Sequence, residues 1–241
     1  MSRRLGLIGD LGTQDLFPGV PGELDTIYGK VEIVLTRTEY KILFIPRYGF
    51  KQNIPPHEVN YRAIISALKH YGVKHVLATT IATRLNPNMN IGDIVIPQDL
   101  IDFTTFRASL VSKPGHSIDM GEIFSQELRE LVLRIARENG LTNVREAGVA
   151  AVVDGVRFET RSEARFLRSI GCDIITTSIA PEAFLAKEAG LEYLPLAIVM
   201  NDAADMGVKR NMQELLIDLK KIIIGVKELV LKIAGELYKT T

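Results

Sequence analysis

Residues 5–12 read LGLIGDLG, a short apolar run from Leu5 to Ile8 that ends in a glycine-containing turn. Such a run is typical of a buried strand, and the turn after it carries the polar residues Asp10 and Thr13. The same succession of apolar run and amphipathic stretch continues along the chain. This alternation predicts an α/β fold with a mixed central β-sheet flanked by helices.

The pattern of apolar residues predicts where each element lies. Strands are predicted over residues 5–8, 31–35, 41–45, 73–80, 93–96, 148–153, 173–177 and 193–200, and helices over 58–70, 125–138, 161–170, 181–190 and 213–238. The stretch from Phe17 to Gly22 is rich in proline and glycine and is predicted to be a surface loop. No linker or repeat interrupts this series, which predicts a single domain over residues 1–241.

Composition narrows the class of protein. Lys plus Arg and Asp plus Glu each number 29, so we expect no nucleic acid and no membrane surface as a partner. The single cysteine, Cys172, excludes an intramolecular disulfide and a cysteine-based zinc cluster. Because the chain also shows no secretory signal and no apolar run of membrane-spanning length, we expect it to be cytoplasmic.

Polar residues follow the apolar runs, where ligands bind in open α/β sheets. The residues concerned are Asp10, Thr13, Arg47, Tyr48, residues 79–84, Glu159, residues 176–178, Asn201 and Asp202. An arginine with hydroxyls suits a phosphate, and an acid with an amide suits a polar heterocycle. The same residue types also favour turns and helix caps, so their spacing alone leaves that alternative open.

Several motifs, taken in order, resemble those of the methylthioadenosine phosphorylase and trimeric purine nucleoside phosphorylase family over nearly the whole chain. They are Gly6–Gly9, Asp25–Lys30, Pro46–Gly49, Ile54–Ala63, Gly92–Pro97, Ile101–Thr104, Arg157–Glu163 and Pro181–Gly190. The resemblance implies a single-domain nucleoside phosphorylase fold and a homotrimer or a dimer of trimers. It also implies that inorganic phosphate attacks the ribose anomeric carbon as the purine leaves, with no metal and no cofactor besides this co-substrate.

The resemblance also implies a role for individual residues. Phosphate would be bound by Arg47, Thr80 and Ser178, with Thr13 in place of the loop hydroxyl that is lost at Leu11. The base and sugar would be bound by Phe158, Thr177, Ile81, Ala82 and His116, of which His116 would act across a subunit interface.

Glu159 and Asn201 are the predicted catalytic residues, and they match the branch of the family that acts on 6-oxopurines. A 6-oxopurine has a donor at N1 and acceptors at O6 and N7, which a carboxylate and an amide complement. The alternative is that Glu159 caps the helix that follows it. An adenine ring would leave a buried carboxylate facing its unprotonated N1, at a cost of a few kcal/mol.

Two further functions stay open, the first of them because of other departures from the family pattern. Leu11 and Tyr48 replace a phosphate-binding hydroxyl and a histidine, and Thr83 adds bulk where the family has a small, glycine-containing turn. Arg84 either binds phosphate in the pocket or lies outside it as a turn residue. The chain would then be a weak or inactive paralogue that binds a nucleoside or serves as a partner subunit. The second alternative is a 5′-methylthioadenosine phosphorylase despite Asn201.

Overall fold

The computed structural model describes residues 4–13, 16–107, 109–111, 115, 117–207 and 212–239. Within these ranges the chain forms nine β-strands and five α-helices. The strands are β1 (Arg4–Gly9), β2 (Gly19–Thr26), β3 (Gly29–Thr36), β4 (Leu43–Pro46), β5 (Val73–Arg84), β6 (Ile94–Asp102), β7 (Val144–Val152), β8 (Cys172–Thr176) and β9 (Glu192–Asp202). The helices are α1 (Tyr61–His70), α2 (Gln126–Glu138), α3 (Arg161–Ser169), α4 (Ile179–Ala189) and α5 (Met212–Lys239).

The strands form one mixed sheet in the order β2-β3-β4-β1-β5-β8-β7-β6-β9. β1 runs parallel to both of its neighbours, β4 and β5. Because β5 also pairs with β9 along most of its length, the strands β5, β8, β7, β6 and β9 close into a ring. The predicted mixed central sheet is confirmed, and the predicted extent of a single domain over residues 1–241 stays a prediction.

Local signals explain where the helices begin and end. The side chain of Ser125 accepts a hydrogen bond from the backbone N–H of Leu128 and begins α2. Gly190 ends α4 in the left-handed conformation, at φ 73°. α1 begins three residues later than predicted, because residues 56–58 form a separate 3-10 turn and Asn60 supplies the cap.

The prediction of a surface loop from Phe17 to Gly22 is wrong. Phe17 is buried against Phe44, and β2 begins at Gly19 as an antiparallel partner of β3. Glycine and proline are poor strand formers, but a strand at the edge of a sheet tolerates both. Gly19 is required here, because a Cβ would lie 2.3 Å from the carbonyl oxygen of Leu35.

β5 extends to Arg84, four residues beyond its predicted end at Thr80. The run of hydroxyl residues hides this continuation in the sequence, but the backbone pairs with β9 throughout, with a bulge between Ala82 and Thr83. In the described residues, no helix combines the length and apolarity needed to cross a membrane.

Candidate functional site

A cavity of about 450 Å³ lies among the carboxyl-terminal parts of β1, β5, β8 and β9 and the loops after β4 and β7. This volume is in the range of about 300–1,000 Å³ that small-molecule sites occupy. Its walls are formed by Asp10, Leu11, Tyr48, Gln52, Asn53, Ile54, Pro55, Pro56, Ile81, Ala82, Thr83, Val153, Gly155, Val156, Arg157, Phe158, Glu159, Ile175, Thr176, Thr177 and Asn201.

Both predicted catalytic residues line this cavity. Glu159 is 5% exposed, and its Oε1 accepts a hydrogen bond of 2.8 Å from the backbone N–H of Ala204. Asn201 is 4% exposed and lies near the end of β9, where it pairs in register with Thr83 of β5. An acid and an amide, 42 positions apart in the sequence numbering, are thus brought to one cavity.

The alternative that Glu159 caps α3 is wrong. The cap is Thr160, whose hydroxyl accepts from the backbone N–H of Glu163 at 3.1 Å, while the Glu163 carboxylate accepts from the Thr160 N–H at 2.7 Å. This reciprocal capping box satisfies the start of the helix and leaves Glu159 for the cavity.

The predicted base and sugar residues also line the cavity, with one exception. Ile81, Ala82, Phe158 and Thr177 are in its walls, and the prediction for His116 lies outside the described residues. The assignment of individual contacts to base or sugar stays a prediction.

The loop from Gly155 to Phe158 contains a feature that the sequence did not reveal. Val156 has φ 118°, a conformation that is strained for a β-branched residue, and its side chain is 74% exposed. Strain of this kind is concentrated at ligand-binding segments. The next two residues, Arg157 and Phe158, line the same cavity, so the strained backbone positions part of its wall.

Thr83 and Arg84 differ in their relation to the cavity. Thr83 is in the wall, and the volume of about 450 Å³ remains beside it. Arg84 lies outside: its Nε donates to Asp202 Oδ1 at 2.5 Å, and its Nη1 donates to the carbonyl oxygen of Met89. Arg84 is therefore the ion-paired last residue of β5, neither a turn residue nor a cavity cation.

The four predicted phosphate residues are buried and do not line the cavity. Arg47 is 1% exposed, the hydroxyls of Thr80 and Ser178 are 3.0 Å apart, and the Thr13 hydroxyl donates to the Asp10 carbonyl oxygen at 2.5 Å. None of the four is among the lining residues. Their contact with phosphate stays a prediction.

The guanidinium of Arg47 donates four hydrogen bonds to other described residues. Nε and Nη2 donate to Glu182 at 2.5 and 3.0 Å, and Nη1 donates to Asp10 Oδ2 at 3.1 Å and to the Thr79 carbonyl oxygen at 2.8 Å. Burial alone would lower the pKa of the Arg47 guanidinium, but the Glu182 and Asp10 carboxylates outweigh it and hold that pKa well above its ordinary value.

Asp10 has a central position that the sequence did not assign to it. Its Oδ1 accepts from the backbone N–H of Leu11 at 2.6 Å, and its Oδ2 accepts from the N–H of Ile81 at 3.1 Å as well as from Arg47. Asp10 is 6% exposed and is one of the cavity-lining residues. The sequence does show a carboxylate directly after the first strand. Its partners Arg47 and Ile81 lie 37 and 71 positions away, so the sequence does not show that they meet.

Within the part of the chain that the structure describes, no cluster of three or more His, Cys, Asp or Glu side chains is placed to hold a metal ion. The expectation that the site works without metal or organic cofactor stays a prediction.

A family model and two relatives match most of the chain. A model of the "Phosphorylase superfamily" matches residues 1–228. A probable S-methyl-5′-thioinosine phosphorylase of Methanopyrus kandleri is 37% identical over 214 residues, which cover 86% of this chain and 82% of that protein. The 6-oxopurine nucleoside phosphorylase of Pyrococcus furiosus is 34% identical over 220 residues, with the same coverage of 86% and 82%.

A solved structure is similar as well. Methylthioadenosine phosphorylase from Schistosoma mansoni, in complex with adenine, superposes with a TM-score of 0.89 at 29% identity. The match covers 97% of this chain and 91% of that one.

Proposed function

The chain belongs to the phosphorylase superfamily, and we propose that it cleaves the N-glycosidic bond of 6-oxopurine nucleosides with inorganic phosphate. The products would be the free base and the sugar 1-phosphate. The predictions of the family, of its fold and of a purine nucleoside phosphorylase, a pentosyltransferase of purine salvage, are confirmed by the matching relatives and solved structure.

The proposal of a 6-oxopurine base rests on Glu159 and Asn201, which line the same cavity. Oε1 of Glu159 is held by the N–H of Ala204, which leaves Oε2 to accept the N1–H of a 6-oxopurine. The amide of Asn201 can donate to O6 or N7 of the same ring. An adenine ring lacks the N1 proton, so Glu159 would face a bare acceptor.

Asn201 would also assist the cleavage of the glycosidic bond. As phosphate attacks the anomeric carbon, the C1′–N9 bond breaks and its electron pair moves to the purine. A donor at O6 or N7 stabilises the charge that develops on the leaving base, and such a donor contributes most when it is fixed in advance. Asn201 is suited to this role because it is buried near the end of a paired strand.

Two relatives support the 6-oxopurine assignment, since their names specify thioinosine and 6-oxopurine nucleosides. The similar solved structure is named for methylthioadenosine and contains adenine. The 5′-methylthioadenosine phosphorylase alternative is therefore a necessary comparison in any assay.

We also propose a homotrimer, or a dimer of trimers, located in the cytoplasm. Two exposed apolar residues line the cavity, Phe158 at 43% and Val156 at 74%. The exposed rings of Phe103 and Phe166 contact each other and line a neighbouring cavity with Arg157. Such a patch is typical of a subunit contact. Light scattering on the purified protein tests the trimer, since each chain has a mass of 26.7 kDa. The single Cys172 suits a reducing compartment, which cell fractionation tests.

The experiment that tests the activity follows base release by chromatography. Purified protein is incubated with inosine, guanosine, methylthioinosine or methylthioadenosine, with and without phosphate. We expect phosphate-dependent release of hypoxanthine or guanine. Failure to release base from all four nucleosides at any phosphate concentration would contradict the proposal.

A further inference from the structure

One oxygen atom of Asp10 accepts hydrogen bonds from two N–H groups. Together these two donors form a position that suits an anion. Oδ2 accepts from Nη1 of Arg47 and from the backbone N–H of Ile81, both at 3.1 Å. A guanidinium and a backbone amide that converge on one point are a common arrangement for binding an oxyanion. In this chain a side-chain carboxylate of the protein itself fills that position.

The charges around this position oppose a second anion. Arg47 carries one positive charge, and the carboxylates of Asp10 and Glu182 carry two negative charges, all buried. Burial raises the pKa of Tyr48, and the charge of Asp10 raises it further, so the surroundings disfavour added negative charge. Phosphate at neutral pH would bring one to two more negative charges into this cluster.

The geometry of the wall leads to the same conclusion. Asp10 faces the cavity, whereas Arg47, Thr80 and Ser178 do not line it. The hydroxyls of Thr80 and Ser178 lie at hydrogen-bond distance from each other. An incoming phosphate therefore meets a carboxylate before it meets these donors.

We propose that Asp10 is a built-in competitor of phosphate. Its carboxylate occupies the position between Arg47 and the Ile81 N–H, so phosphate binds weakly and only as this carboxylate moves away. This inference deepens the proposed function and rests on it where activity is the readout.

The test removes the carboxylate and measures the response to inorganic phosphate. Asp10→Ala leaves Nη1 of Arg47 and the Ile81 N–H without their shared acceptor, which phosphate can then replace. We expect phosphate to raise the thermal unfolding midpoint of this variant clearly more than that of the parent. In assays of base release, we expect the half-saturating phosphate concentration to fall about tenfold or more, with the KM for the nucleoside changed less than about threefold.

Asp93→Ala is the matched control. Oδ2 of Asp93 also accepts one backbone N–H, from Asn90 at 2.8 Å, and one arginine N–H, from Arg145 at 3.2 Å. Asp93 is 3% exposed and does not line the cavity. Its removal should lower stability without changing the response to phosphate. Sodium chloride at matched ionic strength controls for general salt effects.

Asp10→Asn keeps the shape of the side chain and serves if the alanine variant fails to fold. It should strengthen phosphate binding in the same direction, because it removes one of the two negative charges.

The proposal is overturned if phosphate affects the parent, both Asp10 variants and Asp93→Ala equally in unfolding and in kinetics. Absence of base release from every protein would refute the proposed function instead. The unfolding response to phosphate would still decide the role of Asp10 in that case.

Discussion

The Oε1 atom of Glu159 accepts a hydrogen bond of 2.8 Å from the backbone N–H of Ala204, which ties the residue before the cap of α3 to the segment that follows β9. Asn201 lies near the end of that strand. The bond therefore ties the predicted acid to the segment that follows the predicted amide, and both residues line the cavity.

Glu159→Gln should reverse part of the base preference. The glutamine oxygen can keep the bond to the Ala204 N–H, so the amide NH₂ then faces N1 of the base and suits adenine better than a 6-oxopurine. We expect the ratio of kcat/KM for methylthioinosine over methylthioadenosine to fall by about 100-fold. Glu23→Gln, at an exposed carboxylate outside the cavity, is the control. An unchanged ratio in Glu159→Gln would remove Glu159 from the base site.

Asn201→Ala should slow the chemical step. Loss of one fixed donor to a developing charge costs about 100- to 1,000-fold in kcat. The effect on KM should be smaller, because the donor acts mainly in the transition state. Steady-state kinetics with inosine measure both constants. A rise in KM at constant kcat would show that Asn201 only binds the base.

Glu182→Ala should destabilise the fold strongly. Glu182 is fully buried. Its carboxylate accepts two hydrogen bonds from Arg47 and one of 2.7 Å from the Tyr193 hydroxyl. Breaking a buried pair on one side costs about 3–5 kcal/mol in the free energy of unfolding. Urea denaturation measures the loss. Lys30→Ala, which removes an exposed pair with Glu23, should leave the midpoint unchanged.

The loop that carries Arg157 should depend on pH through Glu163. Hydrogen bonds from Arg157 and from the Thr160 backbone lower the pKa of Glu163 from 4.5 to about 2. Because the pKa is lower in the folded state, the stabilisation is complete above the unfolded value and is lost as the pH falls towards 2. The difference in unfolding midpoint between the parent and Glu163→Gln should be small, since Glu163 is partly exposed, and it should shrink from pH 6 to pH 3. A difference that grows on acidification would contradict this assignment.

Much of the fold was predictable because its signals are local. The apolar periodicity and the caps at Ser125 and Gly190 placed the helices closely. The failures occurred where long-range pairing determines the structure. β2 contains Gly19 and Pro21 and is a strand only because β3 pairs with it, and the end of β5 is a strand because β9 runs alongside.

The predicted base residues and the predicted phosphate residues differ in how much of their surroundings the sequence reveals. The presence of Glu159 and Asn201 in one cavity was predictable because each matches the family at its own position, whereas their roles stay predictions. Arg47 was predicted as a phosphate ligand from its motif alone. Its hydrogen-bond partners within the protein, Asp10 and Glu182, are 37 and 135 residues away, and no local pattern shows that they meet.

The most direct test of the 6-oxopurine assignment compares two substrates that differ only at the base. The kcat/KM values of the parent enzyme for methylthioinosine and methylthioadenosine are measured at saturating phosphate. We predict a ratio of about 100 or more in favour of methylthioinosine, because Glu159 pairs with the N1–H that adenine lacks. A ratio of about one, or a preference for methylthioadenosine, would contradict the assignment of Glu159 and Asn201 to a 6-oxopurine site.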